Sequence, residues 1–149
     1  MGLRIGAALT GALLFLAACT EVLNRPEIEP PVVYLSSAEA TDPAHPEAGY
    51  RLTLRVRNPN AMPLPILGLR LRLDLAGRSF ADAVTSQGLD LPAYAEAPLE
   101  LKVHPSRPLE ALSDPDHPPL PYRLEGKVGF ANDLPAMEFS GEGVLPPAP

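Results

Sequence analysis

The clearest regularity along the chain is an alternation of apolar and polar residues at period two, the mark of strands that bury one face and wet the other. In residues 50–57, Tyr50, Leu52, Leu54 and Val56 fall on one side and Arg51, Thr53, Arg55 and Arg57 on the other. Residues 67–75 put five leucines, at 67, 69, 71, 73 and 75, on one face. A helix would scatter Arg70, Arg72 and Asp74 around its circumference, so the spacing predicts a strand. Ala97, Leu99, Leu101 and Val103 alternate with Pro98, Glu100 and Lys102, and Tyr122, Leu124, Gly126, Val128 and Phe130 alternate with Arg123, Glu125 and Lys127. Weaker strands are expected over 32–37, 79–85 and 136–144. About seven strands, each with one wet face, predict an all-β fold, an antiparallel β-sandwich. Tight turns are expected at Ala76-Gly77-Arg78, at 90–93 and at 132–135. Residues 105–121 hold six prolines, which rules out a central strand there and leaves room for one helical turn over 108–112.

Composition narrows the class. Twenty prolines in 149 residues is roughly 13%, against a usual ~5%. Proline removes an amide donor and breaks helix interiors, so helical bundles and coiled coils are excluded. A hydrophobic fraction of 46% marks a folded chain rather than a disordered one, and the length suits a single core. The net charge of −6 sets aside a nucleic-acid footprint. The lone cysteine, Cys19, allows no disulfide within the chain.

That cysteine sits in a particular place. Residues 1–18 carry a single charge, Arg4, and then an apolar run of signal-peptide length, shorter than the ~20 residues needed to span a bilayer. The run ends in Leu16-Ala17-Ala18-Cys19, which resembles the lipobox of bacterial lipoproteins. The resemblance implies cleavage before Cys19 and a covalent diacylglycerol and N-acyl group on it, with no other cofactor; an ordinary secretory signal with an incidental cysteine is the alternative. Several acyl chains anchor stably where one does not. Thr20 stands where an inner-membrane retention aspartate would, which points to an outer-membrane lipoprotein facing the periplasm, in a Gram-negative host. The implied organisation is a signal peptide (1–18), the lipidated cysteine and a proline-containing tether (19–31), the sandwich (32–146) and a tail (147–149). Losing residues 1–18 removes one positive charge and leaves the mature chain at −7.

Residues 57–69 carry Asn58-Pro59-Asn60 followed by Pro63, Leu64 and Pro65. This run resembles the signature of the type-2 late embryogenesis abundant family, also called the WHy (water stress and hypersensitive response) domain. The likeness continues through the hairpin at 73–80 and the closing strand at 139–146, and so spans most of 32–146. It implies a fibronectin-III/immunoglobulin-like sandwich, a non-enzymatic role in desiccation or other stress tolerance, and client proteins or membranes as partners. Read on its own chemistry, the triplet shapes a loop: Asn58 can cap backbone amides, Pro59 presets φ and Asn60 tolerates the left-handed region. The proline-rich stretch 114–121 is longer than the family pattern.

Candidate chemistry is sparse. His45, His104 and His117 lack metal-ligand spacing, and Asp114-Pro-Asp116-His117 reads as a solvated loop rather than a metal site. No nucleophile elbow, phosphate loop or dinucleotide fingerprint occurs. Arg51, Arg55 and Arg57 form one basic stripe and Arg70 and Arg72 another, which could meet anionic headgroups or a partner, or else pair with Glu96, Glu100, Asp74 or Glu125 across strands. The expectation is therefore a monomeric, membrane-anchored, non-enzymatic binding or protective module. The alternative is a carrier holding a lipid or other apolar ligand between its sheets, which requires an internal cavity of ~300–1,000 Å³.

Overall fold

In a computed structural model describing residues 27–147, the alternation resolves into eight strands. They are β1 (Val32–Ala40), β2 (Tyr50–Arg57), β3 (Leu64–Leu75), β4 (Arg78–Thr85), β5 (Leu89–Leu91), β6 (Glu96–Val103), β7 (Leu120–Phe130) and β8 (Met137–Leu145). One antiparallel sheet runs β1-β2-β6, and the other β4-β3-β7-β8. β5 pairs with residues 64–66 of β3, continuing the line of β4 after a break. The sheets pack as a fibronectin-III-like sandwich. The expected signal peptide, the lipobox-like Leu16, Ala17 and Ala18, and Cys19 lie outside the described residues.

The inner faces are set by the alternation. Tyr50, Leu52, Leu54 and Val56 of β2 meet Leu73, Leu75 and Leu124 of the facing sheet in one core, all without exposed surface. Each such side chain contributes ~1.5–3 kcal/mol by leaving water. Tyr50 and Phe80 pack edge to face with centroids 5.1 Å apart, an arrangement that favours the ring quadrupoles. The Phe139 ring lies so close over Gly126 that a Cβ there would collide with it. The β3–β4 turn has both central residues at positive φ, Ala76 at 51° and Gly77 at 78°, the sign pattern that suits the twist of a two-residue hairpin.

Four expectations are corrected. The leucine face of β3 has four members, not five, because Leu67 is 57% exposed. A register shift between Ile66 and Gly68 inserts one extra residue, so Leu64 and Ile66 point inward in one phase and Leu69, Leu71, Leu73 and Leu75 in the other. The turn expected at 90–93 begins inside β5. The proline-rich segment does not stay out of the sheet: Leu120 and Pro121 open β7, a central strand. Pro121 is tolerated at the strand's second position, where its carbonyl accepts the Ala76 amide. His117 is buried rather than solvated. The expected helical turn forms as a 3-10 turn at Glu110–Ser113.

The topology sorts the loops into two sets. Residues 27–31, 58–63, 92–95 and 131–136 gather where β1 begins, and residues 41–49, 76–77, 104–119 and 146–147 gather at the opposite end.

Candidate functional site

Asn58 follows β2 directly and is fully buried. Its Nδ2 donates to the carbonyls of Met62 (2.8 Å), Pro92 (3.0 Å) and Leu91 (3.3 Å), sharing two hydrogens among three acceptors. Its Oδ1 accepts from the Asn60 amide (2.9 Å) and from Asn60 Nδ2 (3.0 Å). One side chain thus closes its own loop in an Asx-type turn and ties it to the β5–β6 connection. Asn60 extends the network: its Oδ1 accepts the Glu29 amide (2.8 Å) and its Nδ2 donates to the Glu29 carbonyl (2.9 Å). This two-way exchange clips the incoming chain to the sandwich just before β1. The Asn60 carbonyl in turn accepts the amide of Tyr94 (3.1 Å). Pro59, half-buried between the two asparagines, supplies the fixed φ. All polar atoms of the two amides are used inward, so the triplet works as a clasp and offers no free group to a ligand.

The basic stripe divides. Arg55 is engaged: its Nη2 lies 2.7 Å from Glu96 Oε1 and its Nε donates to the same oxygen at 2.8 Å, while the Tyr34 hydroxyl donates to it at 2.9 Å. The bonds from Arg55 and then Tyr34 hold the Glu96 carboxyl below its ordinary range, and Glu96 raises the Arg55 guanidinium. Arg51 lies between Glu39 and Lys102 in the strand register, and Arg57 lies opposite Glu96 and Val32. The second sheet shows the same habit, with Arg72–Asp82 at 3.2 Å and Arg123–Glu142 at 3.6 Å. Cross-strand pairing accounts for Arg55 and leaves Arg51 and Arg57 exposed.

The proline-rich loop is fastened from inside. The Tyr50 hydroxyl accepts the Leu109 amide (3.1 Å) and faces the Leu109 carbonyl (3.4 Å). His117 Nδ1 lies 2.8 Å from the Pro118 carbonyl; a carbonyl only accepts, so the proton resides on Nδ1. Across the loop end, His45 and Asp42 pair at 2.9 Å. That bond lowers the Asp42 pKa and raises that of His45. Among the described residues no three His, Cys, Asp or Glu side chains gather as a metal site would require.

A carrier would need space between the sheets. Inner-face residues such as Leu52, Leu54, Val56, Leu73 and Leu124 have no water-accessible surface, so no void large enough for water touches them. A depression of about 680 Å³ lies instead over the outer face of the β4-β3-β7-β8 sheet, among Arg70, Arg72, Asp82, Glu125, Lys127 and Glu138. It is an open trough on the outer surface, edged by Pro30, Pro31 and Val32, and does not lie between the sheets.

Sequence reasoning located Asn58 and Asn60 and missed their partners. Backbone carbonyls of Leu91 and Pro92 and the Glu29 peptide carry no side-chain signature. It also missed Tyr94, 69% exposed on a loop tip with φ of 58°; nothing in its neighbours signals that conformation.

A family model described as "Late embryogenesis abundant protein" matches residues 53–140. A protein of Arabidopsis thaliana, solved in solution, is similar in fold at 22% identity and a TM-score of 0.51, covering 80% of this chain and 84% of that one. A second solution structure, of a protein described as late embryogenesis abundant, shares 18% identity with a TM-score of 0.41 over 86% of this chain and 76% of that one. A crystallised protein of Archaeoglobus fulgidus shares 12% with a TM-score of 0.41, over 80% and 96% respectively. No curated protein matches the sequence.

Proposed function

The chain belongs to the late embryogenesis abundant family, type 2, and from that premise we propose that it is a membrane-anchored, non-enzymatic module protecting client proteins or the envelope membrane during desiccation or related stress. The family is generally non-enzymatic and stress-related; the anchor and the clients are our own reading. The single observation that carries the reading is the family match over 53–140, which falls on a sandwich with a filled core. The anchor is supported by Leu16-Ala17-Ala18-Cys19 at the end of an apolar leader, and the location we assign is the periplasmic face of an outer membrane. Of the exposed cations, we assign Arg57, beside the entry loops, to headgroup contact and Arg51, at the other end of β2, to partner contact.

Two measurements test this. A fatty-acid probe fed to cells should label the wild type and leave Cys19→Ala unlabelled; equal labelling removes the anchor. A test enzyme dried or heated with the protein should aggregate less than with an equal mass of an inert protein, and equality with that control removes the protective role.

A further inference from the structure

We propose that the loop tips 58–63 and 92–95 at the end where the chain enters the sandwich, centred on Tyr94, rest in the headgroup region of the bilayer, so that the protein stands on the membrane end-on. The proposal builds on the anchored reading above and adds which surface meets the lipid.

The first argument is reach. Seven residues separate Cys19 from Glu27, the first described residue. The eight steps between them span at most roughly 29 Å when fully extended. The twelve residues of β3 separate the two loop ends by roughly 36 Å. Glu29 is clipped to Asn60, so the short connection leaves from the end bearing the loops 58–63, 92–95 and 131–136. That end is the one a Cys19 anchor holds near the lipid.

The second argument is charge. The tips 58–63 and 92–95 contain no ionised side chain and 131–136 contains one, Asp133, while the entry segment 27–31 at the same end adds the exposed Glu27 and Glu29. The loops 41–49 and 104–119 at the opposite end carry Asp42, Glu47, Glu110, Asp114 and Asp116 against the single cation Arg107. An anionic leaflet repels the acidic loops 41–49 and 104–119 more than the uncharged tips 58–63 and 92–95. The flanks are less suited, because the outer sheet faces are lined with charged side chains such as Arg72, Asp82, Arg123 and Glu142.

The third argument is Tyr94 itself. A bulky residue at positive φ is disfavoured and persists only where surrounding contacts fix it. Here the Asn60 carbonyl takes the Tyr94 amide, and the Ala95 amide closes a turn onto Pro92, both at 3.1 Å. The asparagine clasp therefore holds an aromatic ring outward, 69% exposed. An apolar ring with a polar hydroxyl suits the boundary between headgroups and acyl chains.

The chain has no tryptophan, so one introduced indole reports on its own surroundings. Full-length Tyr94→Trp and Ala93→Trp, with Arg107→Trp at the acidic end, are isolated from membranes and reconstituted into phosphatidylethanolamine–phosphatidylglycerol vesicles. The expected result is blue-shifted emission at 93 or 94 that is quenched by brominated lipid and shielded from acrylamide, with the reverse at 107. Equal acrylamide access at both ends, in protein that floats with the vesicles, overturns the proposal and leaves the anchor standing. Failure of the wild type to float overturns both. Shielding that follows protein concentration rather than brominated lipid assigns the tips to a second copy and likewise overturns it.

Discussion

Asn58 satisfies three carbonyls and two donors from a site with no exposed surface. Truncating such a group leaves buried partners without hydrogen bonds at ~1–3 kcal/mol each. Asn58→Ala should therefore cost about 2–4 kcal/mol in urea unfolding. Asn60→Ala should cost only about 1 kcal/mol, because its Glu29 partner lies near water. Asn58→Asp keeps the shape but turns an acceptor oxygen towards three carbonyls, so it should be at least as damaging as alanine. Equal losses at 58 and 60, or a mild Asn58→Asp, would contradict the clasp. The sequence made these asparagines legible as turn residues, since their type and spacing suit a reversal. It could not show that the turn binds residues 31 and 33–34 positions away, because those partners are backbone groups.

At the scale of the element, legibility followed phase. β2, β6 and β7 each keep one inward phase over eight or more residues, and period-two reading places them well. β3 changes phase at its bulge, and a run of leucines hides the change because inward and outward positions carry the same residue. β5, with three residues, is too short to display a period. The loop 41–49 supplies a prediction of its own. His45 gains Asp42 as a partner on folding, so its raised pKa gives a contribution complete below its ordinary 6.5 and lost as pH climbs through the raised value. Asp42 is lowered, so its contribution is complete above 3.8 and lost as pH falls through the lowered value. Amide protection in this loop, with the intrinsic pH dependence of exchange divided out, should be greatest between those limits, and His45→Ala should flatten the alkaline side of that profile.

Across the described residues, one continuous core joins two loop ends that share no polar partners. Unfolding should be a single cooperative transition. Tyr50→Phe, which frees the Leu109 amide at the far end, should cost about 1–2 kcal/mol. Combined with Asn58→Ala, the two losses should add within about 0.5 kcal/mol; a larger coupling in urea titrations would mean that the ends communicate. The bond pair between Glu29 and Asn60 has a mechanical corollary. Tension applied upstream of residue 27 is met first by two parallel hydrogen bonds in the Asn60 amide, which is itself braced through Asn58. β1, an outermost strand, would otherwise be the natural place for a pulling force to start unzipping the sheet. The clip sets a mooring point ahead of it, so a jolt on the leash is spent on a local fastening and not on the first strand.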